Sequence, residues 1–264
     1  MPKDKDAQRA RAQERQEREA ALQKRRTARA IGVAALLTVL VVVAVLSSTG
    51  GDGGDGENAS DDQSPAAGEV ACGAEAPPPA DPQQYDAPEQ VLEEGVDYGA
   101  VISTSCGDIE IDLAEETAPE TVNNFVFLAR EGFYDGLIWH RVINNFVIQG
   151  GDPDGVNGQE PDGPGYSIKD ELPEQPSDYV YGVLAMANAG PNSGGSQFFI
   201  VVAPEGQAAG LNPDFSIFGQ ASEASAEALD AIAKLETSTG AEDPSEQDKP
   251  INPAYIESIE ITES

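Results

Sequence analysis

WHRVINNFVIQGGD, residues 139–152, and VLAMANAGPNSGGSQFFI, residues 183–200, decide how this chain is read. Together they set one arginine, Arg141, among aromatic, Gln and Asn side chains, and they supply no nucleophile, metal-ligand cluster or carboxylate pair. A site of that composition suits chemistry in which no covalent bond is broken. Short apolar runs at 138–143, 146–148, 180–186 and 198–202 are each bounded by Gly, Pro or Asn, which predicts strands.

Working outward, Ile109, Ile111 and Leu113 alternate with Asp108, Glu110 and Asp112, the pattern of a half-buried strand after a turn at Cys106 and Gly107. A hairpin therefore opens the domain. Thr117 and Glu120 have capping-box spacing and Pro119 suits a first helical turn, so a helix is expected to run to about Glu131 and stop at Gly132. Val122, Phe125, Val126 and Leu128/Ala129 form its buried side. A second helix is expected over 222–235, with Ala228, Leu229, Ile232 and Leu235 inward, and YIESIEI at 255–261 alternates as a closing strand. Many short strands and two helices predict a mainly β fold, a closed antiparallel barrel capped at its ends.

Charge divides the chain. Residues 1–29 carry ten Lys and Arg against five Asp and Glu, a net +5, so the total of −32 leaves −37 for everything after them. We read four parts: a basic cytoplasmic segment at 1–29, a transmembrane helix at 30–48, an acidic Gly/Pro-rich flexible linker at 49–96, and one domain at 97–264. The apolar run at 31–46 has a single polar side chain, Thr38, and with its neighbours reaches the lower limit for spanning hydrocarbon. Cleavage as a secretory signal is the competing reading, yet the basic preamble is long for an export signal. Either way the basic cluster stays in the cytoplasm and the C-terminal bulk lies outside it. The expected location is the cytoplasmic membrane, single-pass, or secretion if the signal is cleaved. The basic tail lacks an aromatic residue for stacking, and the acidic remainder argues against nucleic acid. Asn58-Ala59-Ser60 is a formal sequon and reads as a chance match. Cys72 and Cys106 permit one disulfide pinning the end of the linker to the first hairpin, or remain two free thiols. A lipid anchor on Cys72 is disfavoured because it sits far beyond the apolar run.

Both opening segments, with DIEIDLAEETAPETVNNFVFLAREGFYDG upstream and FSIFGQ downstream, resemble the cyclophilin family of peptidyl-prolyl isomerases over roughly residues 98–261. The resemblance implies an eight-stranded barrel and rotation about X-Pro bonds. The peptide C–N bond has a rotation barrier of ~18–20 kcal/mol, and uncatalysed X-Pro isomerisation takes tens of seconds or longer. A cation donating a hydrogen bond toward the nitrogen of the twisted amide favours its pyramidal form, and a guanidinium stays charged and directional. Arg141 is the catalytic candidate, with Gln149 bonding the substrate carbonyl. The family pattern places a slot for the proline ring on Phe146, Val147, Phe199, Leu211 and Phe215, assigns Ala187, Asn188 and Ala189 to the peptide backbone before the proline, and puts Gln197 on the polar rim. Phe198 reads as core. Three positions depart from the best-studied members: Val147 is often Met, Phe215 often His, and Gly210 often Trp, which points to weaker cyclosporin binding. No cofactor or metal is implied. The expected partners are proline-containing polypeptides, in particular exported proteins whose folding the enzyme assists, and the expected state is a monomer. A proline-peptide-binding scaffold or chaperone module using the same groove without turnover is the alternative.

Other motifs are weaker. His140, the sole histidine, points to the face opposite Arg141 in a strand and reads as structural. GPNSGGSQ lacks the Gly-Lys-Ser/Thr ending of a phosphate loop. Asp152, Asp154, Glu160 and Asp162 evoke a calcium loop, but Val156 occupies a ligand position.

Overall fold

The computed structural model describes residues 69–264 except 79, 81–82, 154–162, 205, 208 and 239–246. These residues belong to a compact unit, Pro65–Ser264. The expected basic segment at 1–29, transmembrane helix at 30–48 and Asn58 sequon lie outside the described residues, among which no helix is long and apolar enough to cross a membrane.

Alternation builds the sheet. Strand β1 (Tyr98–Thr104) and β2 (Gly107–Leu113) form the opening hairpin, with Ile102 opposite Ile109 and Ala100 opposite Ile111. Gly107 takes φ +112 at the turn, a conformation open to glycine. Helix α1 (Pro119–Arg130) follows, then β3 (Arg141–Ile143), β4 (Val147–Gly150), β5 (Val183–Met186), β6 (Phe198–Val201) and β7 (Ile217–Ala221). Helix α2 (Ala226–Ala233) and β8 (Ile256–Glu263) complete the chain. The strands form one sheet in the order β3-β4-β6-β5-β7-β2-β1-β8, antiparallel at every step.

The expected closed barrel is corrected: the sheet is open between β3 and β8. Residues at the start of each edge meet in a single bridge, Ile138 with Tyr255, flanked by Gly136 N–H to the Ile256 carbonyl at 2.8 Å. No ladder continues from it because the β3 edge has another partner. The Val142 N–H donates to the Asp248 carbonyl at 2.8 Å, so a loop residue takes the place a β8 strand residue would fill.

The sheet's two faces hold different clusters. Val142, Ile148, Leu184, Phe198, Ile200 and Phe218 join α1 and the β1–β2 hairpin in the main core. Phe125 of α1 is its hub, with ring centroids 5.2–5.6 Å from Tyr134, Phe198 and Phe218. Truncating a fully buried Phe costs ~3–5 kcal/mol. Val147, Val183, Ala185, Phe199 and Val201 face the other way and form a second cluster with Phe146, Leu211 and Phe215. Adjacent Phe198 and Phe199 thus serve different clusters, as a period of two demands.

Two local expectations are corrected. Thr117 does not cap α1: its hydroxyl donates to the Ala114 carbonyl at 3.3 Å. The carboxylate of Glu171 instead accepts from the Glu120 and Thr121 amides at 3.0 and 2.8 Å, a distant anion at the positive helix end. The second helix begins as a 3-10 turn at Glu223–Ser225 and ends at Ala233; Ala228, Leu229 and Ile232 are buried, and Leu235 only partly.

The described part of the linker at 49–96 is a strap packed on the domain. Cys72 and Cys106 form a disulfide, and the Ala71 N–H donates to the Pro253 carbonyl. Tyr85 stacks edge-on against Phe127 at 5.0 Å. The Asn123 Oδ1 accepts from the Val91 and Leu92 amides, and its Nδ2 donates to the Glu89 carbonyl. A segment poor in apolar residues is ordered here by the bridge, by a few side chains packed on the core, and by backbone groups that find partners on the domain. The domain's packed surface therefore begins well before residue 97.

Candidate active site

Directly opposed residues in antiparallel strands project to the same face, so register alone assembles the site. Arg141 on β3 pairs with Gln149 on β4, Gln149 with Phe199 on β6, and Phe199 with Ala185 on β5. One step along, Ile143 pairs with Val147 and Val147 with Val201. The guanidinium therefore lies on the face of the second cluster, at the end of a row leading across to Phe199.

Val147 and Phe199 are buried, while Phe146, Leu211 and Phe215 are partly open. Phe199 and Phe215 meet edge to face, centroids 5.4 Å apart. Tyr179 is fully buried beneath, its hydroxyl donating to the Phe215 carbonyl and accepting from the Phe215 amide, which fixes that ring's backbone. Phe215 thus completes an apolar floor. Gly210, next to Leu211, sits at φ +75, and a Cβ there would meet no atom within 4 Å, so this position contributes no side chain to the slot.

Beside the slot lies a cavity of about 590 Å³ lined by Arg141, Gln149, Ala187, Asn188, Ala189 and Gln197. Gly163, Pro164, Tyr166, Ser167, Ser193, Gly195 and Ser196 complete it. Of this second set, Ser193, Gly195 and Ser196 belong to the GPNSGGSQ run, whose glycines suit a turn beside the site, whereas no motif marks 163–167 as a wall. Asn124 of α1, fully buried, holds two sides of the cavity together. It accepts from the Tyr166 hydroxyl at 2.7 Å and donates to the Gly195 carbonyl at 2.8 Å. The strap braces the same wall, since the Tyr85 N–H donates to the Pro164 carbonyl at 2.8 Å. On the other rim, Asn188 donates to the Asp214 carbonyl at 2.7 Å, and the Ala189 amide to Ser193 Oγ at 2.8 Å.

Arg141 is held on two sides. Its Nη1 donates to Gln149 Oε1 at 3.5 Å, and its Nε lies 3.8 Å from Asp248 Oδ2. Gln149 Nε2 donates to Gln197 Oε1, and Gln197 Nε2 to Asp152 Oδ2, both at 2.9 Å. Asp152 is 5 % exposed. Considered in the sequence as a calcium-loop carboxylate, it is engaged with a site glutamine, and residues 154, 156, 160 and 162 lie outside the described residues. His140 is buried on the opposite side of the strand from Arg141. Burial first, then the charges of Arg141 and Lys249, lower its pKa to about 4. Among the described residues neither ring nitrogen has a hydrogen-bond partner, which leaves it no part in the site.

The site offers a directional cation, an amide pair and an apolar slot. Against known proteins, the family described as cyclophilin type peptidyl-prolyl cis-trans isomerase/CLD matches residues 100–261. The chain belongs to this family. It is 42 % identical over 179 residues to peptidyl-prolyl cis-trans isomerase B of Streptomyces anulatus, covering 61 % of this chain and 95 % of that one. It is 51 % identical over 112 residues to peptidyl-prolyl cis-trans isomerase B of Bacillus subtilis, covering 42 % and 74 %. A Cryptosporidium parvum cyclophilin type isomerase, solved in the presence of the dipeptide Ala-Pro, superposes with a TM-score of 0.52 at 33 % identity, covering 62 % of this chain and 98 % of that one. The protein is a peptidyl-prolyl cis-trans isomerase of the cyclophilin type.

Proposed function

We propose that this cyclophilin turns X-Pro bonds in exported polypeptides, held as a monomer at the outer side of the cytoplasmic membrane by one helix at 30–48. The observation that carries the catalytic reading is the row Arg141–Gln149–Phe199, which sets a guanidinium beside an apolar slot. In this reading the pyrrolidine ring enters between Phe146, Val147, Phe199, Leu211 and Phe215. Gln149 has one amide hydrogen engaged by Gln197 and offers the second to the substrate carbonyl as it swings. Arg141 donates toward the imide nitrogen, stabilising the pyramidal form present only in the twisted state. Ala187, Asn188 and Ala189 guide the chain before the proline, and Gln197 forms the polar rim. The slot sheds water, which favours the less polar twisted amide. The Ala-Pro dipeptide of the Cryptosporidium neighbour supports a proline ligand.

The Cys72–Cys106 disulfide supports an oxidising compartment, in agreement with export of the domain. Exchange spectroscopy on an X-Pro peptide tests the chemistry: Arg141→Ala is expected to lower kcat/KM about 100-fold, the usual effect of removing one transition-state donor. Equal rates would refute the role of Arg141. Peptide affinity retained without any turnover in the wild type would favour the scaffold instead. Protease added to intact cells should digest the domain and spare the basic segment; protection of both would overturn the topology.

A further inference from the structure

We propose that Asp152 is a positioning residue for Arg141, fixing through Gln197 and Gln149 which end of each side-chain amide faces the guanidinium. The inference rests on the isomerase reading above, with Arg141 as the group that acts on the amide.

The argument is an inventory of donors. An ionised carboxylate only accepts hydrogen bonds and a guanidinium only donates them, whereas a Gln side chain does one at each end. Between Asp152 and Arg141 stand two glutamines, linked at 2.9, 2.9 and 3.5 Å. The carboxylate requires Gln197 Nε2 to face it. Gln197 Oε1 then faces Gln149 and requires that residue's Nε2. Gln149 Oε1 is left toward Arg141, where it accepts from Nη1. The reverse arrangement puts Gln197 Oε1 against a carboxylate at one end and an NH2 group against a guanidinium at the other. The chain of bonds therefore has one polarity, set by its two charged ends.

Asp152 is also built into place. Gly151 takes φ +80 and lies so close to β6 that a Cβ there would come within 2.5 Å of the Ser196 carbonyl oxygen. Ser196 Oγ donates back to the Gly151 carbonyl at 2.8 Å. Backbone contact thus locks the Asp152 end next to Gln197, the neighbour of Ser196. Asp152 is nearly buried, so the carboxylate acts with little screening by water.

Asp152→Asn keeps the shape and removes the one-way constraint, because an Asn amide can donate. Only Arg141 then opposes turning Gln197 and Gln149 over, from one end and across 3.5 Å, so a fraction of molecules presents NH2 to it. Exchange spectroscopy on an X-Pro peptide, with the full chain, should show kcat falling about 5- to 10-fold at nearly constant KM, the scale of one lost hydrogen bond at the acting group. In a Gln149→Leu background the same change should have less than about a 2-fold effect, since the connection is already cut. Gln197→Leu, which interrupts the chain without altering Asp152, should lower kcat to a similar degree. A wild-type kcat in Asp152→Asn, or an undiminished fall in the Gln149→Leu background, overturns the inference. Should Asp152→Asn fail to fold, a wild-type kcat in Gln197→Leu overturns it equally. An inactive wild type would instead overturn the isomerase reading itself.

Discussion

Replacing both cysteines, Cys72→Ser with Cys106→Ser, should destabilise the domain by an amount its connectivity sets. The bridge joins residues 34 apart in sequence. Closing a loop of that length removes roughly 4 kcal/mol of chain entropy from the unfolded state. For a domain of this size, each 1 kcal/mol moves the thermal midpoint by about 2–4 °C, so the midpoint should fall by ~8–15 °C. The whole amount is expected because the strap is part of the cooperative unit: Ala71 is 3 % exposed, and its amide bonds to Pro253 just before β8. Beyond the bridge the strap is tied to α1 through Asn123 and to the cavity wall through Pro164. Circular dichroism melts of the oxidised wild type and the double variant measure it, without the side effects of added reductant. A shift below about 2 °C would refute the reasoning. It would mean that the strap opens independently of the barrel and that the bridge constrains nothing beyond it.

Below pH 6.5 an unfolded chain takes up a proton that the buried His140, at about 4, refuses; stability contributed above pH 6.5 is therefore lost as pH falls toward 4, by ~3 kcal/mol. Denaturant melts across that range should show a smaller loss in His140→Leu than in the wild type, and identical pH slopes would contradict the burial argument. Asp248 is the direct ionic neighbour of Arg141, but both side chains are partly exposed, at 24 % and 31 %. Such pairs contribute below ~1 kcal/mol, so Asp248→Ala should change kcat/KM by less than about 5-fold in a peptide assay. Asn124→Ala leaves the Tyr166 hydroxyl and Gly195 carbonyl without their shared partner. It should cost ~2–3 kcal/mol in denaturant melts and raise KM more than it lowers kcat; an unchanged KM would show that the cavity walls stand without it.

The legible part of this fold is the part written with a short period. Alternation in β2 located a strand and its buried side, and the adjacent Phe198 and Phe199 divided between two clusters as a strand must divide them. Arg141, Gln149 and Phe199 were legible from their motifs, and strand register places them in one row. What escaped depends on partners far away in sequence. The first turn of α1 takes its anion from Glu171, while the adjacent Thr117, with the right spacing, bonds elsewhere. The barrel seam stays open because Asp248 reaches β3. The strap looked like linker because its composition is polar, yet the Cys72–Cys106 bridge, a few apolar side chains such as Tyr85, Val91 and Leu92, and main-chain hydrogen bonds hold it, and average composition registers none of these.

The same distinction separates the two aspartates around Arg141. Asp248 is nearer to the guanidinium, and water screens it. Asp152 is two residues removed in a chain of hydrogen bonds, but it is buried and can only accept. Distance in sequence and even distance in space are poor guides to which carboxylate governs the arginine. What decides is whether each intervening group has a free choice of orientation, and between Asp152 and Arg141 neither glutamine has one.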